Sequence, residues 1–419
     1  MPAFTYRLSS RTGPITVADY RRLARRALPD MVWAYVDEGA EDLQTLDANR
    51  RAFSRYRLKA KVLTGNAPKD LSTTVAQEAV SLPLLFAPTG LVGLSHWTGE
   101  RGAAQAAERA GTVSIVSTAS SYSLEEVAEG TKRDHFFQLY PWSEPDGSGT
   151  RDLTLGLIQR AQSAGYKGLF VTADVAVRGN REAERKRGMG LPPVITPARV
   201  LNAARKPRWS VNLLRYQRIS LRNLVPSTGA KAAVSSMGTQ FRMMRPELDW
   251  DDFAGIRENW TGPLYVKGVL DADDAERAVD LGATGVVVSN HGGRQLDGAV
   301  AALDALPAIV DRVGHRAEVL LEGGIRRGSD VVKALCLGAR AVCIGRPYLY
   351  GMAAAGPAGA EHVVNILRDE ITRTMTLMGV ASISDLGTSW LLPADTTIPR
   401  QGRSGRSEGR PSAAGPQAG

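Results

Sequence analysis

One unit recurs between residues 82 and 344: a short apolar run, a turn, an amphipathic segment and a glycine before the next run. Eight such runs are present, at 82–87, 113–117, 136–140, 168–172, 263–269, 285–289, 318–321 and 341–344. Apolar residues on consecutive positions are typical of parallel strands that are buried on both faces. Strands that alternate with helices predict right-handed crossovers, and eight units predict an α/β fold closed into a (β/α)8 TIM barrel.

Helical patterns fill the spaces between these runs and also precede them. The helices predicted between strands are 100–110, 124–129, 152–164, 271–281, 303–313 and 329–337. N-terminal helices are expected within 16–58, where Thr16 and Asp19 form a capping pattern and Gly39 is a natural stop. A doubly wound open sheet is the alternative architecture, but no G-x-G-x-x-G motif follows the first run.

A long insertion interrupts this regular spacing between the fourth and fifth runs. The chain has a net charge of +9, and residues 178–246 alone carry fifteen Lys or Arg and two acids. A long insertion in a compact domain is usually a lid, a binding loop or a disordered stretch. We therefore predict a barrel domain over 1–392 with a basic insertion at 178–249, followed by a disordered tail at 393–419 that is rich in Pro, Gly, Ser and Arg.

The composition limits the cellular compartments and the binding partners that we expect for this protein. Cys336 and Cys343 lie in apolar sequence, and no His/Cys cluster indicates a metal. The N-terminus lacks the apolar region of a secretory signal, and no apolar run is long enough to span a bilayer. We therefore expect a cytoplasmic protein without a bound metal. Nucleic acid is not an expected partner, because no recognised motif accompanies the basic segment.

Polar and glycine residues concentrate where the predicted strands end. The C-terminal ends of barrel strands open onto one face, where active sites lie. The residues at these ends are Pro88, Thr89, Gly90, Ser117, Gln138, Tyr140, Thr172, Asp174, Lys267, Ser289, His291, Glu322, Gly323, Gly324, Arg326, Gly345 and Arg346. The glycines and arginines after the last two runs fit a phosphate site made of backbone amides, a helix N-terminus and an arginine.

A histidine and an arginine lie three residues apart in the run Ser-Asn-His-Gly-Gly-Arg-Gln-Leu-Asp at 289–297. His291 can exchange a proton near neutral pH, and Arg294 can hold a carboxylate with two parallel hydrogen bonds. The alternative interpretation is a turn-capping histidine beside a surface charge. A cofactor that carries a phosphate, together with a small carboxylate substrate, would satisfy both parts of the predicted site.

This run resembles the signature of the FMN-dependent L-2-hydroxy acid oxidases and dehydrogenases. Further matches, in the family's order, cover nearly the whole chain from about residue 16 to 385. They are Tyr35 near Gly-Ala-Glu-Asp at 39–42, Ala-Pro-Thr-Gly at 87–90, Phe-Gln-Leu-Tyr at 137–140, Val-Lys-Gly at 266–268, Gly-Gly-Ile-Arg-Arg-Gly at 323–328 and Ile-Gly-Arg-Pro at 344–347. The resemblance implies bound FMN, oxidation of an L-2-hydroxy acid to the 2-oxo acid, and a homo-oligomer, which is a tetramer by analogy.

The resemblance also implies a role for each predicted site residue. His291 would be the base that takes a proton from the substrate carbon or hydroxyl, and Asp174 would raise its pKa and stabilise the imidazolium. Lys267 would stabilise the reduced flavin. The substrate would be held by Tyr35, Tyr140, Arg181 and Arg294. The flavin ring and ribityl chain would be held by Pro88, Thr89, Gly90, Ser117, Gln138, Thr172 and Ser289. The ribityl and phosphate end would be held by Glu322, Gly323, Gly324, Arg326, Gly345 and Arg346.

Two positions depart from the family pattern. Glu322 stands where the family usually has Asp, so the carboxylate is placed one methylene further from the backbone. Ala119 stands where glycolate oxidase-type members have a bulky aromatic residue, and this leaves room for a larger substrate side chain. The strand ends look most similar to the mandelate and lactate dehydrogenase branch, so L-lactate or a mandelate-like acid is the expected substrate.

Members of that branch resemble this chain in having an insertion here that touches the inner membrane and passes electrons to quinone. The insertion 178–249 is basic and partly apolar, and would attract anionic lipid by roughly 1 kcal/mol per basic residue near the surface. We therefore expect a quinone-type acceptor and peripheral contact with the membrane. The alternatives are a solvated lid, an oxygen-using oxidase or monooxygenase, and a flavoprotein recruited to a specialised substrate or to peptide maturation.

Overall fold

A computed structural model describes residues 13–66, 70–142, 150–189, 193–225, 228–229, 231–232 and 247–394. The strands are β1 Tyr56–Leu58, β2 Thr73–Val75, β3 Glu78–Val80, β4 Leu84–Phe86, β5 Ile115–Ser117, β6 Phe136–Leu139, β7 Gly168–Thr172, β8 Leu264–Val269, β9 Gly285–Val288, β10 Glu318–Glu322, β11 Ala341–Ile344 and β12 Leu391–Pro393. Strands β4 to β11 form one parallel sheet, and a bridge between Phe86 and Ser114 joins its two edges. The predicted eight-stranded barrel is confirmed, and each strand lies within two residues of its predicted bounds.

Helices surround the barrel in the predicted alternation. They are α1 Val17–Ala27, α2 Asp30–Asp37, α3 Gln44–Arg51, α4 Gly99–Arg109, α5 Leu124–Ala128, α6 Thr150–Ser163, α7 Glu182–Lys186, α8 Pro197–Ala204, α9 Pro207–Tyr216, α10 Trp250–Asn259, α11 Ala272–Asp280, α12 Ala302–Val313, α13 Gly328–Cys336 and α14 Arg346–Met378. The capping pattern of Thr16 and Asp19 opens α1 as predicted. Helix α14 is kinked at Ala355 and Gly356. None of the helices in the described part of the chain is long and apolar enough to cross a membrane.

The barrel interior is closed at its N-terminal end. Its buried side chains include those of Leu85, Ile115, Phe136, Phe170, Tyr265, Val287, Leu320 and Cys343. The β2–β3 hairpin contributes Val75, Ala76 and Val80 to the same cluster. The Ala76 N–H donates a hydrogen bond to the Tyr265 hydroxyl at 3.0 Å, which ties this hairpin to the barrel. The opposite end, where the strands finish, is left as the open mouth.

The basic insertion is folded where it is described, and part of it packs on the barrel. Helices α7, α8 and α9 all lie within it. The Arg222 N–H donates to the carbonyl oxygen of Ser120 at 2.9 Å, and the Asn223 side-chain amide donates to that of Thr118 at 3.1 Å. A long insertion could have been a lid, a binding loop or a disordered stretch. The described residues of this one form a packed cover over one side of the barrel mouth.

The start of the predicted tail is corrected. Pro393 lies in β12 and is paired with Tyr56 of β1, and the Ala394 N–H donates to the Arg55 carbonyl oxygen at 2.7 Å. The buried side chain of Leu391 anchors this strand to the core, so the ordered chain passes residue 393. The remainder of the predicted tail, 395–419, lies outside the described residues.

Candidate active site

The strand ends open into a cavity of about 1350 Å³, a volume that includes its mouth. Most of the predicted site residues line it: Tyr35, Pro88, Thr89, Gly90, Tyr140, Arg181, His291, Arg294, Glu322, Gly323, Gly324, Arg326, Gly345 and Arg346. The others lie at the ends of β5 to β9, behind this lining: Ser117, Gln138, Thr172, Asp174, Lys267 and Ser289. The barrel therefore brings the whole predicted set to one place.

His291 and Asp174 form a hydrogen-bonded pair at the barrel mouth. Nδ1 of His291 lies 3.0 Å from Oδ1 of Asp174. His291 has a left-handed backbone (φ +59°), and its N–H donates to Oγ of Ser289 at 3.0 Å. Such conformations are sparsely populated by non-glycine residues and cluster at functional sites. Nε2 has no hydrogen bond to any described residue, so it is the ring nitrogen available to accept a proton.

A bulge in β8 gives Asp174 the space to reach His291. The pairing of β8 with β9 shifts between Lys267 and Val269, and the intervening Gly268 has φ +103°. A Cβ at Gly268 would lie 2.5 Å from Cγ of Asp174. Both the backbone conformation and the close approach therefore require glycine at this position.

Asp174 raises the pKa of His291, as predicted, but it is not the largest influence on that pKa. Burial has the largest effect and lowers the pKa of His291. The Asp174 charge raises it and the Lys267 charge lowers it, and the result is below the ordinary value. Burial raises the pKa of Asp174, but His291 and Lys267 outweigh this, and the pKa is lowered overall. The predicted effect of Asp174 on His291 is therefore present, but burial outweighs it, so that a neutral imidazole lies beside a carboxylate near neutral pH.

Lys267 is a buried cation behind the cavity. Its Nζ lies 3.0 Å from Oε1 of Glu322 and 3.5 Å from Oγ of Ser289. Burial lowers the pKa of Lys267, but the charges of Glu322 and Asp174 more than offset this and raise it above its ordinary value. Lys267 therefore remains positively charged. The extra methylene of Glu322 does not prevent an ion pair with Lys267.

Several buried polar atoms at the strand ends have no hydrogen-bond partner among the described residues. They are Nε2 of Gln138, Oγ1 of Thr172, Oδ2 of Asp174 and Oε2 of Glu322. An unsatisfied buried polar group costs roughly 1–3 kcal/mol, so such a cluster indicates a ligand. Ser117 donates to Oε1 of Gln138 at 2.7 Å and thereby orients its amide. This mixture of donors and acceptors fits the edge of a flavin ring, which carries both carbonyl and N–H groups.

The ends of β10 and β11 fit a phosphate group. Gly324 has φ +79°, and a Cβ there would lie 2.1 Å from the carbonyl oxygen of Asn49. Helix α14 begins after Gly345, so the positive end of its dipole lies beside the cavity. Arg326 and Arg346 line the same cavity. Arg346 donates to the backbone carbonyl oxygens of Asp37, Glu38 and Gly292, at 2.9–3.2 Å.

Sequence reasoning missed a carboxylate that lies among the predicted substrate arginines. The side chain of Glu184 is 1% exposed, and its Oε1 lies 3.0 Å from Nη2 of Arg294 and 4.0 Å from Nη1 of Arg181. Its Oε2 lies 2.9 Å from Nη2 of Arg178. Three arginines around one carboxylate leave positive charge for a second carboxylate. The recurrence of charged residues every third position, at 178, 181 and 184, is the signal that could have identified it.

Tyr35 and Tyr140 both line the cavity, but they differ in whether the hydroxyl group is already hydrogen-bonded within the protein. The Tyr35 hydroxyl donates to the carbonyl oxygen of Gly90 at 2.8 Å, and the Arg294 guanidinium lies 5.1 Å from the Tyr35 ring centre. The Tyr140 hydroxyl has no hydrogen-bond partner among the described residues. Burial raises the pKa of Tyr140 to about 12, with the Lys267 charge opposing it. Tyr140 is therefore a protonated donor that is open to a ligand.

The N-terminal helices fasten the loop that carries His291 and Arg294, a role that sequence reasoning did not identify. The side-chain amides of Asn49 and Asn290 exchange two hydrogen bonds, at 2.7 and 2.9 Å. The Asp297 carboxylate accepts from the backbone N–H groups of Asp42, Gln44 and Thr45 at 3.1, 3.2 and 2.8 Å. These contacts join the loop to α3 and to the residues just before it.

Known proteins resemble this chain over most of its length. A model of the FMN-dependent dehydrogenase family matches residues 24–393. L-lactate oxidase of Nostoc sp. is 42% identical over 384 residues, which cover 91% of this chain and 98% of that protein. (S)-mandelate dehydrogenase of Pseudomonas putida is 38% identical over 379 residues, 90% of this chain and 93% of that protein. The crystal structure of the monotopic membrane protein (S)-mandelate dehydrogenase has a TM-score of 0.85 at 37% identity, and covers 91% of this chain and 100% of that chain.

These similarities agree with the fold and with the residues at the cavity. The barrel matches that of a solved relative. The unsatisfied polar atoms and the phosphate-type end fit the cofactor of the matching family. The resemblance drawn from the motifs is confirmed. The chain belongs to the FMN-dependent dehydrogenase family and is one of its FMN-dependent 2-hydroxy acid dehydrogenases and oxidases.

Proposed function

We propose that the protein oxidises L-lactate or a mandelate-like L-2-hydroxy acid to the 2-oxo acid and passes the electrons to a quinone. One observation carries this proposal: the unpartnered Nε2 of His291 lies in the same cavity as Arg181 and Arg294. A base and a carboxylate clamp are the two groups that such a substrate needs. FMN, when bound, accepts the two electrons that the substrate loses.

The side chains at the cavity have separate roles in substrate binding, proton transfer and charge stabilisation. Arg181 and Arg294 bind the substrate carboxylate, and the hydroxyl group of Tyr140 donates a hydrogen bond to the substrate. His291 takes one of the two substrate protons at Nε2, and Asp174 stabilises the resulting imidazolium. Lys267 supplies the buried positive charge that favours a reduced, anionic cofactor.

The size of the substrate side chain follows from the apolar part of the cavity. Ala119 lines this part with Val175, Met189 and Leu221. A methyl or a phenyl group would replace water against these side chains. A bulky residue at Ala119 would remove space for the phenyl group first.

The test is an anaerobic absorbance titration of the FMN-loaded protein with L-lactate, glycolate and (S)-mandelate, with D-lactate and (R)-mandelate as controls. We expect an L-acid to bleach the flavin and its enantiomer to leave it oxidised. Ala119→Trp should reduce bleaching by (S)-mandelate far more than bleaching by L-lactate. Flavin that stays oxidised with every one of these acids contradicts the proposal.

Two observations support a quinone acceptor at a membrane. Apolar side chains are exposed on the insertion helices, with Val200 and Leu201 56% and 54% exposed on α8, and Val211 and Leu214 61% and 76% exposed on α9. A solved relative is a monotopic membrane protein.

Oxygen is the second candidate acceptor, since another relative is an L-lactate oxidase. Turnover with a soluble quinone and without peroxide would support the first, whereas stoichiometric peroxide would support the second. A homo-oligomer remains a prediction, to be measured by light scattering.

A further inference from the structure

A second cavity, of about 1010 Å³, shares none of its lining residues with the active-site cavity. Its walls come from the end of α1, the loop after β4, the start of α9 and the kink of α14. The described residues that line it include five basic side chains and no acidic one. The basic residues are Arg26, Arg205, Lys206, Arg208 and Arg218.

Most of this positive charge has no ion-pair partner among the described residues, although the charge of Lys206 does help to lower the pKa of Asp30. Arg218 pairs with Glu126 at 2.9 Å. In the part of the chain that the structure describes, no carboxylate pairs with the other four basic side chains. Lys206 donates instead to the backbone carbonyl oxygen of Arg26, at 2.7 Å. Like charges around one concave surface repel each other, and a bound anion would relieve that repulsion.

A hydrogen bond and a ring stack within the protein hold the walls of this cavity in place. Nε1 of Trp209 donates to the carbonyl oxygen of Leu94 at 2.7 Å, and this fixes α9 to the loop after β4. The rings of Trp97 and Tyr216 stack with centres 3.9 Å apart. A preformed site loses little entropy when a ligand binds.

The kink of α14 adds to the positive potential. Gly356 has φ +64°, and a Cβ there would lie 2.9 Å from the His96 ring, so the kink gives this ring its space. The second part of α14 starts at Pro357, and the positive end of its dipole therefore adjoins the cavity. Burial, and then the charge of Arg208, lower the pKa of His96 to about 4, so that its ring is neutral.

We infer that this cavity is a second ligand site that binds a phosphate group, either of a phospholipid headgroup or of a free phosphate. Arginine and lysine side chains around a helix N-terminus are the groups that recognise phosphate. The lipid source is favoured because α9 also exposes Val211 and Leu214 beside the cavity-lining Arg208. This preference rests on the proposed membrane contact, whereas the phosphate site itself does not.

The test uses a matched pair of variants of the full-length, FMN-loaded protein. Arg208→Gln and Arg215→Gln each remove one exposed charge from α9, but only Arg208 lines the cavity. Titration calorimetry with inorganic phosphate at constant ionic strength should show saturable binding. Arg208→Gln should weaken this binding about tenfold or more, and Arg215→Gln should change it less than about twofold. Absence of phosphate binding, or equal effects of the two variants, overturns the proposal.

Sedimentation with phosphatidylglycerol vesicles distinguishes the two sources. Loss of one surface charge should weaken vesicle binding roughly fivefold in either variant. A clearly larger loss for Arg208→Gln assigns the site to a lipid headgroup, and equal losses assign it to a free phosphate. Phosphate binding that depends on Arg208, in a protein that does not bind vesicles, supports the site and contradicts the membrane contact alone.

Discussion

Gly268 places the Asp174 carboxylate beside His291, and its substitution tests that positioning. In Gly268→Ala the new Cβ would meet Cγ of Asp174 at 2.5 Å on a backbone with φ +103°. We expect the rate of flavin reduction to fall at least about tenfold, because Asp174 must move away from His291. Gly165→Ala is the control, since Gly165 has φ +82° with no atom within 4 Å of its Cβ position. It should lose about 1 kcal/mol of stability and keep the reduction rate.

The charge of Asp174 raises the proton affinity of His291, and a pH profile can measure this effect. Asp174 raises the pKa of His291, although burial keeps the net pKa below its ordinary value. Asp174→Asn should therefore lower that pKa further. The acid limb of kcat/KM should shift to lower pH while the plateau falls by about 10²-fold. A shift of this limb to higher pH would contradict the conclusion that the Asp174 charge raises the pKa of His291.

The site residues that could be predicted from the sequence are those that lie at or just after the C-terminal end of a barrel strand. His291, Arg294 and Lys267 belong to this group, because their positions follow from counting along a strand. The Glu184 carboxylate and the lowered pKa of His291 were not predictable in this way. Both depend on which side chains burial brings together across distant segments, and a strand pattern does not contain that information.

At the scale of elements, the start of α3 holds the active-site loop through Asp297. Burial raises the pKa of Asp297, but hydrogen bonds from the backbone of Thr45 and Gln44 outweigh it and lower the pKa. The stabilisation is therefore present above the unfolded pKa and is lost as pH falls through the folded pKa. Asp297→Ala should lower the free energy of unfolding by about 1 kcal/mol at pH 7, and by less as the pH falls below about 4.

Urea denaturation of the wild-type protein and of Asp297→Ala, at pH 7 and below about pH 4, measures the loss of unfolding free energy at each pH. Asp273→Ala is the control, because this carboxylate is 83% exposed and its one ion pair with a described residue is the surface pair with Arg312. Its effect should be the smaller one. Equal losses for the two variants would show that Asp297 does not brace the loop.

The elements themselves were predictable to different degrees. The barrel strands are buried on nearly every position and are mostly apolar, which is the pattern typical of parallel strands covered on both faces. The β2–β3 hairpin and the kink of α14 were not predicted. The hairpin is short and half exposed, and the kink at Gly356 depends on the His96 ring that packs against it.

At the scale of the whole molecule, the proposed membrane contact can be tested on the exposed apolar side chains of the insertion. Val211→Asp/Leu214→Asp should weaken binding to anionic vesicles at least about tenfold, because two apolar side chains no longer enter the lipid. Flavin reduction by the substrate should not change. Val62→Asp/Leu63→Asp is the matched control, since Val62 and Leu63 are 84% and 102% exposed but lie outside the insertion. Vesicle binding that falls equally in both double variants contradicts a contact through α9.

The most direct test of the account is the anaerobic rate of flavin reduction in His291→Gln. The variant should bind FMN with an unchanged visible spectrum, because the role proposed for His291 is to take a proton from the substrate and not to anchor the cofactor. With the best L-2-hydroxy acid, its rate of flavin reduction should be about 10²–10⁴-fold below that of the wild-type protein. A variant that binds FMN and reduces it within a few fold of the wild-type rate would contradict the assignment of His291 as the base.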